Sequence, residues 1–103
     1  ITRLKERKLA LLARDIQNLR NNLSNLDIRE ENLVAEAANM EMAGEEVAAE
    51  LMGQISQIRL DRAEVQKLLA SRKTDRISIE ALYRGYEQRF RQLELSSTQT
   101  SEQ

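Results

Sequence analysis

A heptad repeat of apolar residues runs through the first two thirds of this 103-residue chain. One series, taken at every seventh position, is Leu9, Ile16, Leu23, Glu30, Ala37, Gly44, Leu51, Ile58 and Val65, and the offset series is Leu12, Leu19, Leu26, Leu33, Met40 and Val47. These are the a and d positions of a coiled coil, in which each helix buries a narrow seam against a partner. At 1.5 Å per residue, a helix from Leu9 to Leu69 would be roughly 90 Å long. Such a rod cannot bury its own stripe, so it needs a partner helix.

The composition also favours helix over a globular core. The chain has no proline and three glycines, and its most frequent residues enter helices at little cost. Aromatic residues make up 3% of the chain, so a compact core would lack bulky side chains. We therefore expect an all-α protein.

A break in the repeat predicts where the chain turns. The run Arg72–Arg76 is polar, and Ser78 is suited to cap a new helix. Apolar side chains then return at helical spacing, at Ile79, Tyr83, Tyr86, Phe90 and Leu93. The prediction is a long amphipathic helix over residues 1–72, a turn at 73–78 and a shorter second helix over 79–95, which together form an antiparallel coiled-coil hairpin. A disordered tail is expected at 96–103, and Phe90 is expected to pack in the core.

The two predicted helices differ in length, which leaves part of the first one uncovered. The second helix can cover only the end of the first, so the stripe from Leu9 to Val47 requires another helix. That helix belongs either to another chain or to residues that follow Gln103 in the natural protein. A break near Asn25–Asp27, giving a three-helix bundle, is the third option. The alanine-rich stretch Ala35–Ala49 indicates a narrow seam, or else a kink or partner groove centred on Gly44 and Gly53.

Charges are segregated along the chain, although their sum is close to zero. Residues 1–14 carry five basic side chains against Glu6, and residues 27–50 carry eight acidic ones against Arg29. From Arg59 to Arg91 there are nine basic and five acidic residues. Blocks of this kind orient protein partners. The residues around the predicted turn are therefore the candidate protein-binding site: Arg72, Lys73, Arg76, Tyr83 and Arg84.

Several kinds of chemistry are not expected of this chain. It contains no histidine and no cysteine, so the usual ligands of zinc, haem and iron-sulfur clusters and the usual general base are missing. The carboxylates of Glu41, Glu45, Glu46 and Glu50 fit a solvated acidic face better than a metal site. We predict no enzymatic activity and no cofactor. Isolated glycines offer no phosphate-binding loop.

Neither nucleic acid nor a membrane is a favoured partner. The basic start of the chain lacks aromatic side chains for stacking on bases, and its apolar residues belong to the seam. No apolar run approaches the roughly 18 residues of a membrane span. A cysteine-free chain suits a reducing compartment, so the expected location is the cytoplasm.

Two segments resemble the FliJ/YscO family, the stalk proteins of bacterial type III secretion and flagellar export, especially its invasion-type members. One is the opening Ile1–Lys5. The other is Arg76–Tyr83, followed by Arg89–Glu94, which is similar to the family's passage from the hairpin turn into its second helix. Family members carry a long second helix, and the polar residues from Ser96 onward depart from that pattern.

The resemblance implies a cytoplasmic hairpin at the cytoplasmic face of a membrane secretion complex. It implies insertion into the centre of a hexameric secretion ATPase, and contacts with the export gate protein and with secretion chaperones. The alternative is a generic coiled-coil scaffold or chaperone without an ATPase partner, which would form a homodimer through the seam from Leu12 to Val47.

Overall fold

The chain folds into two long helices, seen in a computed structural model that describes the backbone of residues 2–102 and the side chains of residues 3–96. Helix α1 spans Thr2–Met42, helix α2 spans Ala49–Glu102, and residues 43–48 connect them. The rod measures 90 × 17 × 15 Å. Lys5 near the start of α1 pairs with Glu87, whereas Glu30 pairs with Arg59, so the helices run antiparallel. The predicted all-α antiparallel hairpin is confirmed.

The predicted seam of α1 is also confirmed. The less exposed positions of this helix include Leu9, Leu12, Ile16, Leu19, Leu23, Leu26, Glu30, Leu33, Ala37 and Met40. Those of α2 include Leu51, Ile55, Ile58, Arg62, Val65, Leu69, Arg72, Arg76, Ile79 and Tyr83. Both sets alternate steps of three and four residues, the spacing that keeps one face of a supercoiled helix toward its partner. Four side chains in the described part of the chain are buried, namely Ile16, Leu51, Ile58 and Tyr83.

A glycine cap ends α1 and starts the connection. Gly44 has a φ of +77°, the left-handed conformation that a side chain opposes. Its N–H donates to the Glu41 carbonyl oxygen at 3.0 Å, and the Glu45 N–H donates to the Met40 carbonyl oxygen at 2.9 Å. This pair of bonds is a Schellman motif, which satisfies carbonyl groups that a helix end leaves without partners. Helix α2 then begins where the Met52 N–H donates to the Ala48 carbonyl oxygen at 3.1 Å.

Alanine substitutions at two glycines should have opposite effects on stability. Gly44→Ala is expected to lower the free energy of unfolding by about 1 kcal/mol, because an alanine there must hold a left-handed φ. Gly53 lies inside α2 with open space around its Cα, so Gly53→Ala should raise the same free energy by about 0.5–1 kcal/mol. Urea unfolding of the two variants measures both changes. An increase for Gly44→Ala would contradict the assignment of Gly44 to the helix cap, and a decrease for Gly53→Ala would contradict the open space around Gly53.

The predicted turn at residues 73–78 is wrong, because these residues lie inside α2. Arg72 and Arg76 occupy seam positions and are half-buried, since long arginine stems can cover apolar surface while their charged groups reach water. The Arg72 Nε lies 3.9 Å from Asp15 Oδ2 on α1. The Thr74 hydroxyl donates to the Ala70 carbonyl oxygen at 3.1 Å, a bond that helices accommodate. The polar run is therefore helical, and it contributes two charged residues, Arg72 and Arg76, to the seam.

The predicted helix lengths are wrong for the same reason. The first helix ends at Met42 and not at residue 72, and the second has 54 residues where a short helix over 79–95 was predicted. Helix α1 is continuous through Asn25–Asp27, so the three-helix bundle is excluded. The backbone of the predicted disordered tail is helical as far as Glu102. The side chains of residues 97–103 lie outside the described part of the chain.

The long α2 covers the apolar stripe that the predicted short helix would have left exposed. Because the connection falls at residues 43–48, α2 reaches back along the whole of α1, as far as the Lys5–Glu87 pair. The stripe from Leu9 to Met40 is therefore covered within the chain itself. No further helix is needed on that face.

Candidate functional site

The five predicted protein-binding residues lie along α2 rather than at a hairpin tip. Arg72 pairs with Asp15 and, at 3.7 Å, with Asp75 on its own helix. Tyr83 is 4% exposed and belongs to the core, whereas Arg84 is exposed. Arg76 is half-buried on the seam, and Lys73 is half-buried beside it. The structure therefore does not bring these residues together as one exposed surface.

Tyr83 fastens the start of α1 to α2. Its ring meets that of Tyr86 edge to face, with centroids 5.7 Å apart and planes at 84°. The Lys8 Nζ lies 5.8 Å from the centroid of the Tyr83 ring, within the range of a cation–π contact. One turn further along, Lys5 Nζ donates to Glu87 Oε1 at 3.2 Å. These contacts close the hairpin at the end away from the connection.

An ionic layer interrupts the apolar seam nearer the connection. Glu30 occupies an a position, and its Oε1 accepts from Arg59 Nε at 3.0 Å. The Arg62 Nη1 donates to Glu30 Oε2 and also to Asp27 Oδ1 at 3.4 Å. A charged group on the seam favours the one alignment that pairs it, so this layer specifies the register of the two helices.

The true tip of the hairpin is acidic and has exposed apolar side chains. Glu41, Glu45 and Glu46 are exposed there, and Met42 is 81% exposed. Beside the connection lies an open groove of about 260 Å³. We call it the tip groove; its lining includes Val34, Glu41, Val47, Met52, Ile55 and Arg59. The sequence offered one signal for it, the loss of branched apolar residues around Gly44, which the prediction assigned first to a narrow seam.

A second groove is polar. It has a volume of about 360 Å³ and is lined mainly by Arg29, Asn32, Gln54, Gln57 and Asp61, with Leu33 and Ile58 at its base. The Gln57 Nε2 donates to Asp61 Oδ1 at 2.9 Å, so part of this lining is already hydrogen-bonded. The groove shows no constellation of reactive side chains.

The opposite end, which we call the open end, is basic. Here Leu4 and Leu11 are about half exposed and lie one heptad apart on α1. Arg7 and Arg14 are exposed and lie next to them on the helix surface. On α2, Phe90 continues the seam beyond the Lys5–Glu87 pair and is 55% exposed, so the predicted core position of Phe90 is wrong.

Among the described side chains, no group of three or more acidic, histidine or cysteine residues is arranged to hold a metal ion. Neither helix, over its described residues, is apolar enough along a sufficient length to cross a bilayer.

Comparison of the chain with protein-family models, with curated proteins and with solved structures finds no match.

Proposed function

We propose that this chain is a non-enzymatic stalk component of a bacterial type III secretion export apparatus. In this proposal it lies in the cytoplasm at the membrane complex, links the hexameric secretion ATPase to the export gate protein and contacts secretion chaperones. The observation that carries the proposal is the uninterrupted antiparallel hairpin with a second helix of 54 residues. Members of the FliJ/YscO family carry a long second helix, and α2 has this feature. The polar residues from Ser96 onward had predicted a shorter helix.

The location of the turn changes how the resemblance supports the proposal. The segment Arg76–Tyr83 lies well inside α2 and not at the entry to the second helix. It therefore supports the proposal by the likeness of its residues alone. The support from architecture comes instead from the hairpin as a whole, a stiff rod whose two ends have opposite charge.

The two ends of the rod suit different partners. The open end holds the start of α1 and the last turns of α2, and it carries Arg7, Arg14 and the exposed Phe90. In the proposed complex this end enters the centre of the ATPase ring. The acidic tip, with Glu41 and Glu46, faces the export gate and the chaperones. Complementary charge would orient the rod between its partners.

A pull-down from a bacterial lysate that contains a type III secretion system tests the proposal. The unmodified chain is expected to retain the secretion ATPase. Phe90→Ser should reduce this retention at least tenfold, because an exposed aromatic side chain at an interface is a common source of binding energy. Leu60→Ser is the matched control, since Leu60 is 66% exposed but lies outside the open end. Failure of the unmodified chain to retain the ATPase would refute the stalk proposal.

The alternative of a homodimeric scaffold loses the surface on which it rested. That hypothesis used the seam from Leu12 to Val47, and α2 of the same chain now covers Leu12 to Met40. A scaffold of that kind would have to separate α1 from α2 first. That separation would expose the buried side chains of Ile16, Ile58 and Tyr83 to water.

A further inference from the structure

The tip groove combines an apolar floor with a strongly acidic surrounding. Val34 and Met52 are exposed at its edges, and Val47 and Ile55 are half-buried within it. From Glu30 to Glu50 the sequence has seven glutamates and neither lysine nor arginine. Arg59, which also lines the groove, is already paired with Glu30. A helix that fits such a groove carries a short apolar stripe flanked by basic residues.

The open end of this same chain presents a helix with that chemistry. Leu4 and Leu11 form an exposed apolar stripe, because residues one heptad apart lie on the same face of a helix. Arg7 lies between them at steps of three and four residues, and Arg14 follows Leu11 by three. We call this set of four residues the open-end stripe. Leu4 and Leu11 are about half exposed, and Arg7 and Arg14 are exposed, so all four are available for contact.

The open-end stripe cannot reach the tip groove of its own molecule. The two surfaces lie toward opposite ends of a rod that is 90 Å long and whose helices are held antiparallel by the pairs from Lys5–Glu87 to Glu30–Arg59. Contact between them therefore requires two copies of the chain. When two rods lie side by side and antiparallel, each tip meets the open end of the other.

We propose that two copies of this chain form an antiparallel, side-by-side dimer in which the open-end stripe of each occupies the tip groove of the other. The two contacts are related by a twofold axis, so the assembly closes at two copies and does not extend into a fibre. Each end supplies apolar surface, and opposite charges lie around it. This inference does not depend on the stalk proposal, because it uses only surfaces of this chain. The dimer occupies both ends of each rod, so it would have to separate before the open end entered an ATPase ring.

The first test is the mass of the unmodified chain in solution. Sedimentation equilibrium should give twice the chain mass of 11.9 kDa at micromolar concentration and low salt. Raising the salt concentration to about 1 M should weaken the association at least tenfold, because exposed charges are screened. A mass of one chain at every concentration would overturn the proposal.

Charge reversal distinguishes this dimer from other arrangements. The tip variant carries Glu41→Lys and Glu46→Lys, and the stripe variant carries Arg7→Glu and Arg14→Glu. Alone, each variant opposes like charges at both contacts of its dimer and should associate at least tenfold more weakly than the unmodified chain. In an equal mixture, a tip variant and a stripe variant present opposite charges at both contacts, so the mixed dimer should form.

Several outcomes of the mixing experiment would overturn the proposal. These are a dimer that neither charge variant weakens, two weakened variants whose mixture stays monomeric, and a monomeric chain whose tip binds a basic amphipathic peptide from another protein. All four substituted side chains are exposed, and circular dichroism checks that both variants remain helical.

Disulfide cross-linking provides a measurement that leaves these charges unchanged. The chain has no cysteine, so Leu11→Cys and Met52→Cys each introduce a single thiol. In the proposed dimer, oxidation of a mixture should link the two different variants in preference to identical ones, because position 11 of one copy lies near position 52 of the other. A preference for links between identical variants would overturn the antiparallel arrangement.

Discussion

Replacement of Ile58 by aspartate should unfold most of the hairpin. Ile58 is 4% exposed and lies at the base of the polar groove, next to Leu33 of α1. An aspartate there would move a carboxylate out of water onto the apolar seam, at a cost on the order of 4 kcal/mol. That is a large fraction of the 5–15 kcal/mol by which domains are typically stable. Thermal unfolding followed by circular dichroism should show a loss of most of the helical signal or a much lower midpoint.

Leu60→Asp is the matched control for this substitution. It introduces the same side chain two residues further along α2, where Leu60 is 66% exposed and points away from the seam. Its melt should lie close to that of the unmodified chain, within about 0.5 kcal/mol in the free energy of unfolding. If the melts of Ile58→Asp and Leu60→Asp coincide, the register of α2 on α1 is wrong.

The seam could be predicted from the sequence because its residues are mostly apolar and follow one period. Every a and d position assigned to α1 from Leu9 to Met40 is less exposed than its neighbours on the outer face. On α2, Ile55 and Leu69 are likewise less exposed than their immediate neighbours. Hydrophobic periodicity depends only on which face a helix buries, so it survives an error in where the helices end.

The turn could not be predicted by the same argument. Arg72 and Arg76 interrupt the apolar pattern, yet their stems cover the seam, and polarity alone does not distinguish that arrangement from a loop. The real connection follows a stretch rich in alanine, a strong helix former. The decisive residue was Gly44, whose positive φ allows the chain to leave the helix.

The error in the turn also explains the misplaced site. The candidate residues were chosen because basic side chains surrounded the predicted tip. Once the connection moves to residues 43–48, the tip falls in the acidic block and the basic block at the start of α1 falls at the open end. The charge blocks themselves were evident in the sequence. Where each block lies on the rod depends on where the chain reverses direction between the two helices, and the charge pattern does not show that position.

The aromatic residues of α2 lead to the second large prediction. Tyr83→Ala should lower the free energy of unfolding by about 3 kcal/mol or more, because a large, buried side chain leaves a cavity when truncated. It would also remove the edge-to-face contact with Tyr86 and the platform beneath Lys8. Urea unfolding monitored by circular dichroism measures the change.

Phe90→Ala is the control. It also removes an aromatic ring from α2, so it shows whether the loss of stability comes from burial of the ring or from removal of any aromatic side chain. Phe90 lies one heptad after Tyr83 on the same face of α2, but it extends beyond the last ion pair with α1 and is 55% exposed. Its truncation should cost less than about 1 kcal/mol. A larger loss for Phe90→Ala than for Tyr83→Ala would mean that the open end is packed at Phe90 and that the hairpin closes further along α2 than the Lys5–Glu87 pair indicates.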